Sequence, residues 1–184
     1  MSASWPGFSE TDTLVLPLQE APPAGPVEID GRRFEPKAEL HVTLVGSALG
    51  RELRATLGER LDAAVRPAFE ALDWSYARTR LGALIEKTCR RDDGRRGAVA
   101  SIIEFIELPA MPHLHRWLGE LLGRELPVPP PHVTLYTHAC GKGIGIPSMV
   151  KLRAWTRRRL SFHGHGLIHR DGAASATPHE PPAP

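Results

Sequence analysis

The chain has 184 residues, of which 41% are hydrophobic and 24% charged, and its formal net charge is +2 at pH 7. These values fit one compact globular unit and exclude both a disordered polyelectrolyte and a protein that binds nucleic acid through bulk charge alone. The two cysteines, Cys89 and Cys140, form no CxxC pattern, which argues against a zinc site or a disulfide framework. The sequence contains no secretory-leader pattern and no membrane-spanning run, so we expect a cytoplasmic monomer without membrane contact.

The first third of the chain predicts strands followed by a helix. Residues 13–19 (TLVLPLQ) and 39–46 (ELHVTLVG) are typical of strands, and the DG pair within 27–36 predicts a hairpin tip. From 50 to 72, leucines recur at four-residue spacing and predict one amphipathic helix. Pro67 is expected to kink or end this helix.

The remainder continues the alternation of strands and helices. We predict a long hairpin from residues 74–87 and 97–108, a helix at 113–123, a strand at 132–139, a glycine-rich loop at 140–148, a short helix from 149 and a last strand at 160–169. This order predicts an α+β fold with an antiparallel sheet and flanking helices. Because the order nearly repeats, residues 1–170 are expected to form one domain of two similar lobes related by a pseudo-twofold axis. The Pro/Ala-rich segment 171–184 is expected to be a flexible tail.

The tetrapeptide HVTL occurs twice, at 41–44 and at 132–135. From the numbers of histidines and threonines, His-x-Thr should arise by chance roughly 0.5 times in such a chain, so two copies that also share Val and Leu indicate more than coincidence. Because side chains alternate along a strand, His41 and Thr43 should share one face while Val42 and Leu44 enter the core. A satisfied half-buried histidine would explain either copy alone, but explains the pair poorly.

Two H-x-T-hydrophobic motifs on strands, 91 positions apart, are similar to those of the two-histidine (2H) phosphoesterase superfamily, which includes RNA-ligase-like proteins and cyclic nucleotide phosphodiesterases. The resemblance spans residues 13–169, and both motifs match without substitution. It implies a bilobal α+β fold with the motifs on neighbouring central strands lining one cleft. It further implies action on 2′,3′-cyclic phosphates or 2′-5′ phosphodiesters without metal or other cofactor. An RNA end or small nucleotide, and no DNA, would be the partner.

The chemistry of the motif residues agrees with this expectation. Two imidazoles with an ordinary pKa near 6.5 can remove a proton from the attacking oxygen and deliver one to the leaving oxygen. We therefore predict His41 and His132 as catalytic acid and base, with the assignment between them open. Thr43 and Thr134 are predicted to hold the phosphate through their hydroxyls. Such a site could ligate as well as hydrolyse.

Weaker candidates surround the motifs. Tyr136 and His138 would continue the face of His132 if alternation persists, and could reach a base or sugar, although solvent-facing residues fit equally well. In the 140–148 loop, Lys142 could add charge beside exposed backbone amides, but a lid or plain connector is the favoured interpretation. The segment as a whole matches no phosphate-loop motif.

The other histidines are not predicted to have a functional role. His163 and His165 could share a strand face and bind zinc, but no third ligand is evident and no metal site is predicted. His113 and His115 do not share a helical face and are interpreted as surface residues.

Two alternatives to an enzyme remain. A noncatalytic module could bind a nucleotide or an RNA end in the same cleft. In a structural or interaction protein, HVTL would be ordinary strand sequence.

Overall fold

A computed structural model describes residues 3–163 and 166–168 of the chain. It contains nine strands in these residues: β1 (Leu14–Pro17), β2 (Val27–Ile29), β3 (Arg32–Pro36), β4 (His41–Val45), β5 (Ala77–Arg90), β6 (Arg96–Glu107), β7 (His132–His138), β8 (Thr156–His163) and β9 (Gly166–Ile168). Its helices are α1 (Ser47–Leu57), α2 (Leu61–Ala71), α3 (Ala110–Leu122) and α4 (Met149–Trp155), with a 3-10 turn at Gly58–Arg60. The predicted tail and the predicted His163/His165 pair lie outside the residues whose side chains are described.

The strands form an antiparallel sheet in the order β1-β4-β7-β6-β5-β8-β9, while β3 pairs with both β2 and β7. The α+β class with an antiparallel sheet is therefore confirmed. The two motif strands, β4 and β7, are neighbours within this order. These two strands are far apart in sequence, and on their other edges β4 pairs with β1 and β7 with β6.

Both predicted hairpins are present. Asp30 and Gly31, at the tip between β2 and β3, have φ angles of 53° and 66°, which is the left-handed pair that a two-residue hairpin turn requires. The long hairpin pairs β5 with β6 as far as Arg90 opposite Arg96. The polar CRRDDGRR segment thus spans the ends of these strands and their turn.

The predicted 50–72 helix is divided in two. The break is at Gly58, whose φ of 58° and ψ of −132° suit a residue without a side chain. The helical chain passes Pro67 and ends at Ala71, so of the two expected effects, a kink or an end, the proline does not end the helix. The last predicted helix is shorter than expected, because strand β8 already begins at Thr156.

Two cores lie on opposite faces of the sheet. In the main core, apolar residues of α1, α2 and α3 pack against strand residues that include Val42, Leu44 and Val133. The second core is smaller and contains Ala83, Ile85, Val99, Ile103, Ile144, Ile146 and Leu152. Residues from the 140–148 loop and from α4 therefore cover part of the sheet face that α1–α3 leave free.

His115 is a correction to the sequence interpretation. Its exposed fraction is 2%, and its ring Nε2–H donates a 3.0 Å hydrogen bond to the backbone carbonyl of Leu44 in β4. The residue is buried because α3 packs its apolar face on the sheet, and it connects that helix to a motif strand. Burial lowers its pKa.

No helix within the described residues is both long and apolar enough to cross a membrane.

Candidate functional site

The two motifs meet through one backbone register. Val42 of β4 lies opposite Val133 of β7 in an antiparallel pair. This register places His41 across from Thr134 and Thr43 across from His132. Each histidine therefore has the threonine of the other motif as its cross-strand neighbour, at a Cβ separation of about 5 Å, and the two histidines lie diagonally at about 7–8 Å.

All four polar side chains project from one side of the sheet, which we call the motif face (His41, Thr43, His132 and Thr134). Val42, Leu44 and Val133 belong to the main core on the other side. Thr134 lies opposite Ile103, a residue of the second core. The alternation predicted from the sequence is thus observed for both motifs.

The ring of His132 is held by the backbone just before strand β7. Its Nδ1–H donates a 2.8 Å hydrogen bond to the carbonyl of Pro130, since a carbonyl can only accept. In the neutral form this bond fixes the proton on Nδ1 and leaves Nε2 as the unprotonated nitrogen. The exposed fraction of the residue is 7%, and this burial is the main cause that lowers the pKa of the ring; the nearby His41 lowers it further, while the backbone hydrogen bonds to Pro130 and Ile144 raise it.

His41 is partly buried. Burial is the main cause that lowers its pKa, and the Lys37 ammonium lowers it further while the Glu39 carboxylate opposes both. Because a charged His41 disfavours protonation of His132, the two rings are close enough to influence each other electrostatically. Both imidazoles are accordingly biased toward the neutral form.

The 140–148 loop covers part of the motif face. A methyl group added at Gly143 would lie 3.3 Å from Thr134 Oγ1, so the loop backbone passes directly over this side chain. Ile144 and Ile146 insert into the second core. The loop is also anchored at its start, where Gly141 N–H donates to Asp92 Oδ2 at 2.9 Å.

Lys37 is a site residue that the sequence interpretation missed. Its Nζ donates to the Gly141 carbonyl at 2.8 Å, and its charge acts on His41. Lys142, the predicted substrate-binding lysine, is exposed in the loop and makes no hydrogen bond or ion pair within the described residues. No motif in the sequence marks Lys37, which reaches the site because its backbone pairs with the strand that carries His132.

Tyr136 does not continue the motif face. Strand β7 carries one extra residue at Leu135, because Ile102 faces Tyr136 while Ile103 faces Thr134. This bulge shifts the alternation, and Leu135 and Tyr136 both join the main core. His138 instead donates through Nδ1–H to the Arg33 carbonyl at 2.8 Å.

Two prominent cavities lie elsewhere. One of about 540 Å³ adjoins α3 and the segment after it, and includes Arg116 and Val128. The other, of about 250 Å³, includes Tyr136 and Arg80. Neither is lined by a residue of the motif face. Within the described part of the chain, no three His, Cys, Asp or Glu side chains converge as a possible metal-binding group.

No protein-family model matches the chain, and neither the curated proteins nor the solved structures include a significant match. The function must therefore be inferred from the residues of the motif face and their surroundings.

Proposed function

We propose that the protein is a metal-independent phosphoesterase of the two-histidine type, acting on a 2′,3′-cyclic phosphate or a 2′-5′ phosphodiester of RNA or a nucleotide. The observation that carries this proposal is the register of Val42 opposite Val133, because it gathers two imidazoles and two hydroxyls on one face of adjacent strands. A pseudo-twofold relation between two lobes belongs to the same proposal.

In this proposal the chemistry is divided between four side chains. One imidazole takes the proton of the attacking oxygen as the new P–O bond forms, and the other protonates the ester oxygen as the old P–O bond breaks. His132 has its Nδ1–H committed to Pro130, so Nε2 is the atom that would exchange a proton. Thr43 and Thr134 would donate to the non-bridging oxygens, which carry the negative charge.

Lys37 adds a positive charge beside His41. An anionic phosphate would compensate this charge and would also favour protonation of a neighbouring imidazole. Substrate binding would in this way raise the pKa values that burial lowers, and would provide the protonated histidine that the reaction requires.

A noncatalytic module that binds a nucleotide or an RNA end is the second candidate. It is favoured by the low exposure of His132 and by the passage of the loop over Thr134. Turnover separates the two candidates, since binding alone needs no proton transfer.

The test is a turnover assay on 2′,3′-cyclic nucleotides, 2′-5′ dinucleotides and cyclic-ended RNA in the presence of EDTA. We expect the native protein to turn over at least one substrate, and His41→Ala and His132→Ala each to reduce kcat by about 10²- to 10⁴-fold, the usual contribution of a positioned acid or base. Retention of the fold is checked by circular dichroism.

His113→Ala is the matched control, because this histidine is exposed on α3, away from the motif face. It should leave turnover unchanged. Undiminished activity in either motif variant, or complete dependence on a divalent ion, would overturn the proposal. Tight nucleotide binding without turnover would support the noncatalytic module.

A further inference from the structure

The 250 Å³ cavity is built from both polar and apolar walls. It lies on the main-core side of the sheet, opposite the motif face, since Leu40, Leu135, Tyr136 and Phe162 all belong to the main core. Its charged lining comes from Glu20, Arg78, Arg80 and Glu104. Its volume is slightly below the usual range for drug-sized ligands, and so suits a molecule built around a single ring.

One tyrosine hydroxyl in this cavity has no partner among the described residues. Tyr136 has an exposed fraction of 5%, and its hydroxyl makes no hydrogen bond to any of the described residues. Burial raises its pKa, so it remains a neutral O–H donor. A ligand that accepts a hydrogen bond from this hydroxyl would give it a partner that the described residues do not supply.

The carboxylates of the cavity are already paired. Arg78 donates to Glu104 Oε2 at 2.9 Å and to Glu20 Oε2 at 2.7 Å. Glu104, with an exposed fraction of 6%, also accepts a 3.2 Å hydrogen bond from the backbone N–H of Arg80. Glu20 additionally accepts from the Tyr76 hydroxyl. Both carboxylates of the cavity therefore already accept hydrogen bonds from the protein.

Arg80 supplies the free cationic donors. Its guanidinium forms no hydrogen bond or ion pair within the described residues, and its side chain is exposed at the cavity. Its φ of 58° is unfavourable for a residue with a side chain. The strain occurs in a bulge of β5 between Arg78 and Gly82, where the Glu104 carboxylate holds the Arg80 amide. Strained bulges of this kind are typical of binding sites.

We propose that this cavity binds a small organic carboxylate, whose two oxygens accept from Arg80 and Tyr136 and whose apolar ring packs against Leu40 and Phe162. The Arg80 guanidinium can only donate and the Tyr136 hydroxyl can also donate, which favours a ligand with two acceptor oxygens. A guanidinium fork matches a carboxylate in a bidentate arrangement. A phosphate dianion would bring a second negative charge toward Glu20 and Glu104, and a cation would face Arg80.

This site is independent of the proposed phosphoesterase activity. Tyr136 and Thr134 are two positions apart, yet the bulge at Leu135 places them on opposite faces of the sheet. A ligand in the cavity therefore contacts none of the motif-face side chains. The proposal stands whether or not the histidines are catalytic.

The test is a titration of the full chain with benzoate, benzamide, benzamidine and phenyl phosphate, followed by backbone-amide NMR shifts. Benzoate should bind and shift the amides of Arg80, Tyr136 and Phe162. Benzamide, benzamidine and phenyl phosphate should each bind at least tenfold more weakly. Arg80→Gln and Tyr136→Phe should each weaken benzoate about tenfold, since each removes a hydrogen bond to a charged oxygen.

Arg116→Gln is the control, because this exposed arginine lines the other cavity, and His41→Ala is a second control on the motif face. Both should bind benzoate as tightly as the native chain. The proposal is overturned by no benzoate binding up to its solubility limit, by shifts centred on α3 or on β4, by a preference for one of the other three probes, or by Tyr136→Phe binding unchanged.

Discussion

At the scale of single residues, burial acts on every histidine that matters to the fold or the site. His41, His115 and His132 all have a lowered pKa, with burial as the first cause in each case. The folded protein therefore prefers these rings neutral. In the proposed function, a catalytic acid would have to gain its proton against this preference, and the charge of a bound phosphate would favour that protonation.

The free energy of unfolding should depend on pH through these histidines. The unfolded chain takes up protons at an ordinary pKa near 6.5, whereas the folded chain does so only at lower pH. Stability is thus fully present above about pH 6.5 and is lost as the pH falls through the folded-state values. Urea unfolding between about pH 5 and 8 measures this decline, and it should be less steep in His132→Asn than in the native chain.

A free energy of unfolding that stays constant or rises as the pH falls from 7 would contradict this account. His132→Asn is chosen because its amide can still donate to the Pro130 carbonyl, so the change removes the titrating group with little loss of hydrogen bonding.

The sequence predicted the common face of the motif residues, but not the positions of the residues around them. His-x-Thr twice in strand-like segments is a pattern that alternation alone can interpret. Simple alternation predicts that Tyr136 lies on the motif face, whereas it lies in the main core. The bulge that causes this difference depends on the partner strand β6, which the local sequence does not reveal. Lys37 was missed for a similar reason, since its proximity to His41 arises from long-range pairing.

At the scale of elements, the 140–148 loop covers part of the motif face at Thr134. Its beginning is tied to the β5–β6 turn by Asp92, which accepts from Gly141 N–H and donates its own amide to the Ala139 carbonyl at 3.3 Å. Ala139 has a φ of 63°, so the chain turns sharply where it leaves β7. Movement of this loop would uncover Thr134.

Asp92→Ala should loosen the loop without unfolding the domain. Loss of a hydrogen bond to a carboxylate should raise the exchange rate of the Gly141 amide about tenfold. Hydrogen exchange followed by mass spectrometry or NMR measures this change.

Asp93→Ala is the matched control, because this neighbour bonds only within the turn, to the Arg95 amide and side chains nearby. Exchange in the loop should not change there. Equal acceleration in both variants would mean that the turn as a whole, rather than the Asp92 contact, holds the loop.

At the scale of the whole molecule, the strands and side chains around β5 approach one another closely at Gly82. A methyl group at Gly82 would lie 2.0 Å from the Ile103 carbonyl oxygen and 2.6 Å from the Phe162 ring. Strands β6 and β8 both pair with β5 here. The close approach therefore requires glycine.

Gly82→Ala should lower the free energy of unfolding by about 1–3 kcal/mol, the typical cost of overpacking a filled interior. Gly25→Ala is the control, since its added methyl meets no atom within 4 Å and its effect should stay within about 0.5 kcal/mol. Urea unfolding of both variants provides the comparison. Equal stabilities would mean that β5 can shift away from its neighbours.

The general architecture followed from the sequence more readily than the strand order. Hairpins and amphipathic helices depend on local periodicity, and both hairpins and α3 were found near their predicted positions. The order β1-β4-β7-β6-β5-β8-β9 depends on contacts between distant segments. Local patterns cannot specify such pairings, and the split at Gly58 likewise reflects how two helices pack on one core.

The extra residue at Leu135 determines on which side of the sheet Tyr136 lies. Regular pairing of the unchanged sequence, without the bulge, would turn Tyr136 out of its cavity and toward the motif face. Deleting Leu135 itself would instead restore simple alternation while Tyr136 stays opposite Ile102 on the main-core side. In this strand, one inserted residue therefore decides which side of the sheet the side chains after it face.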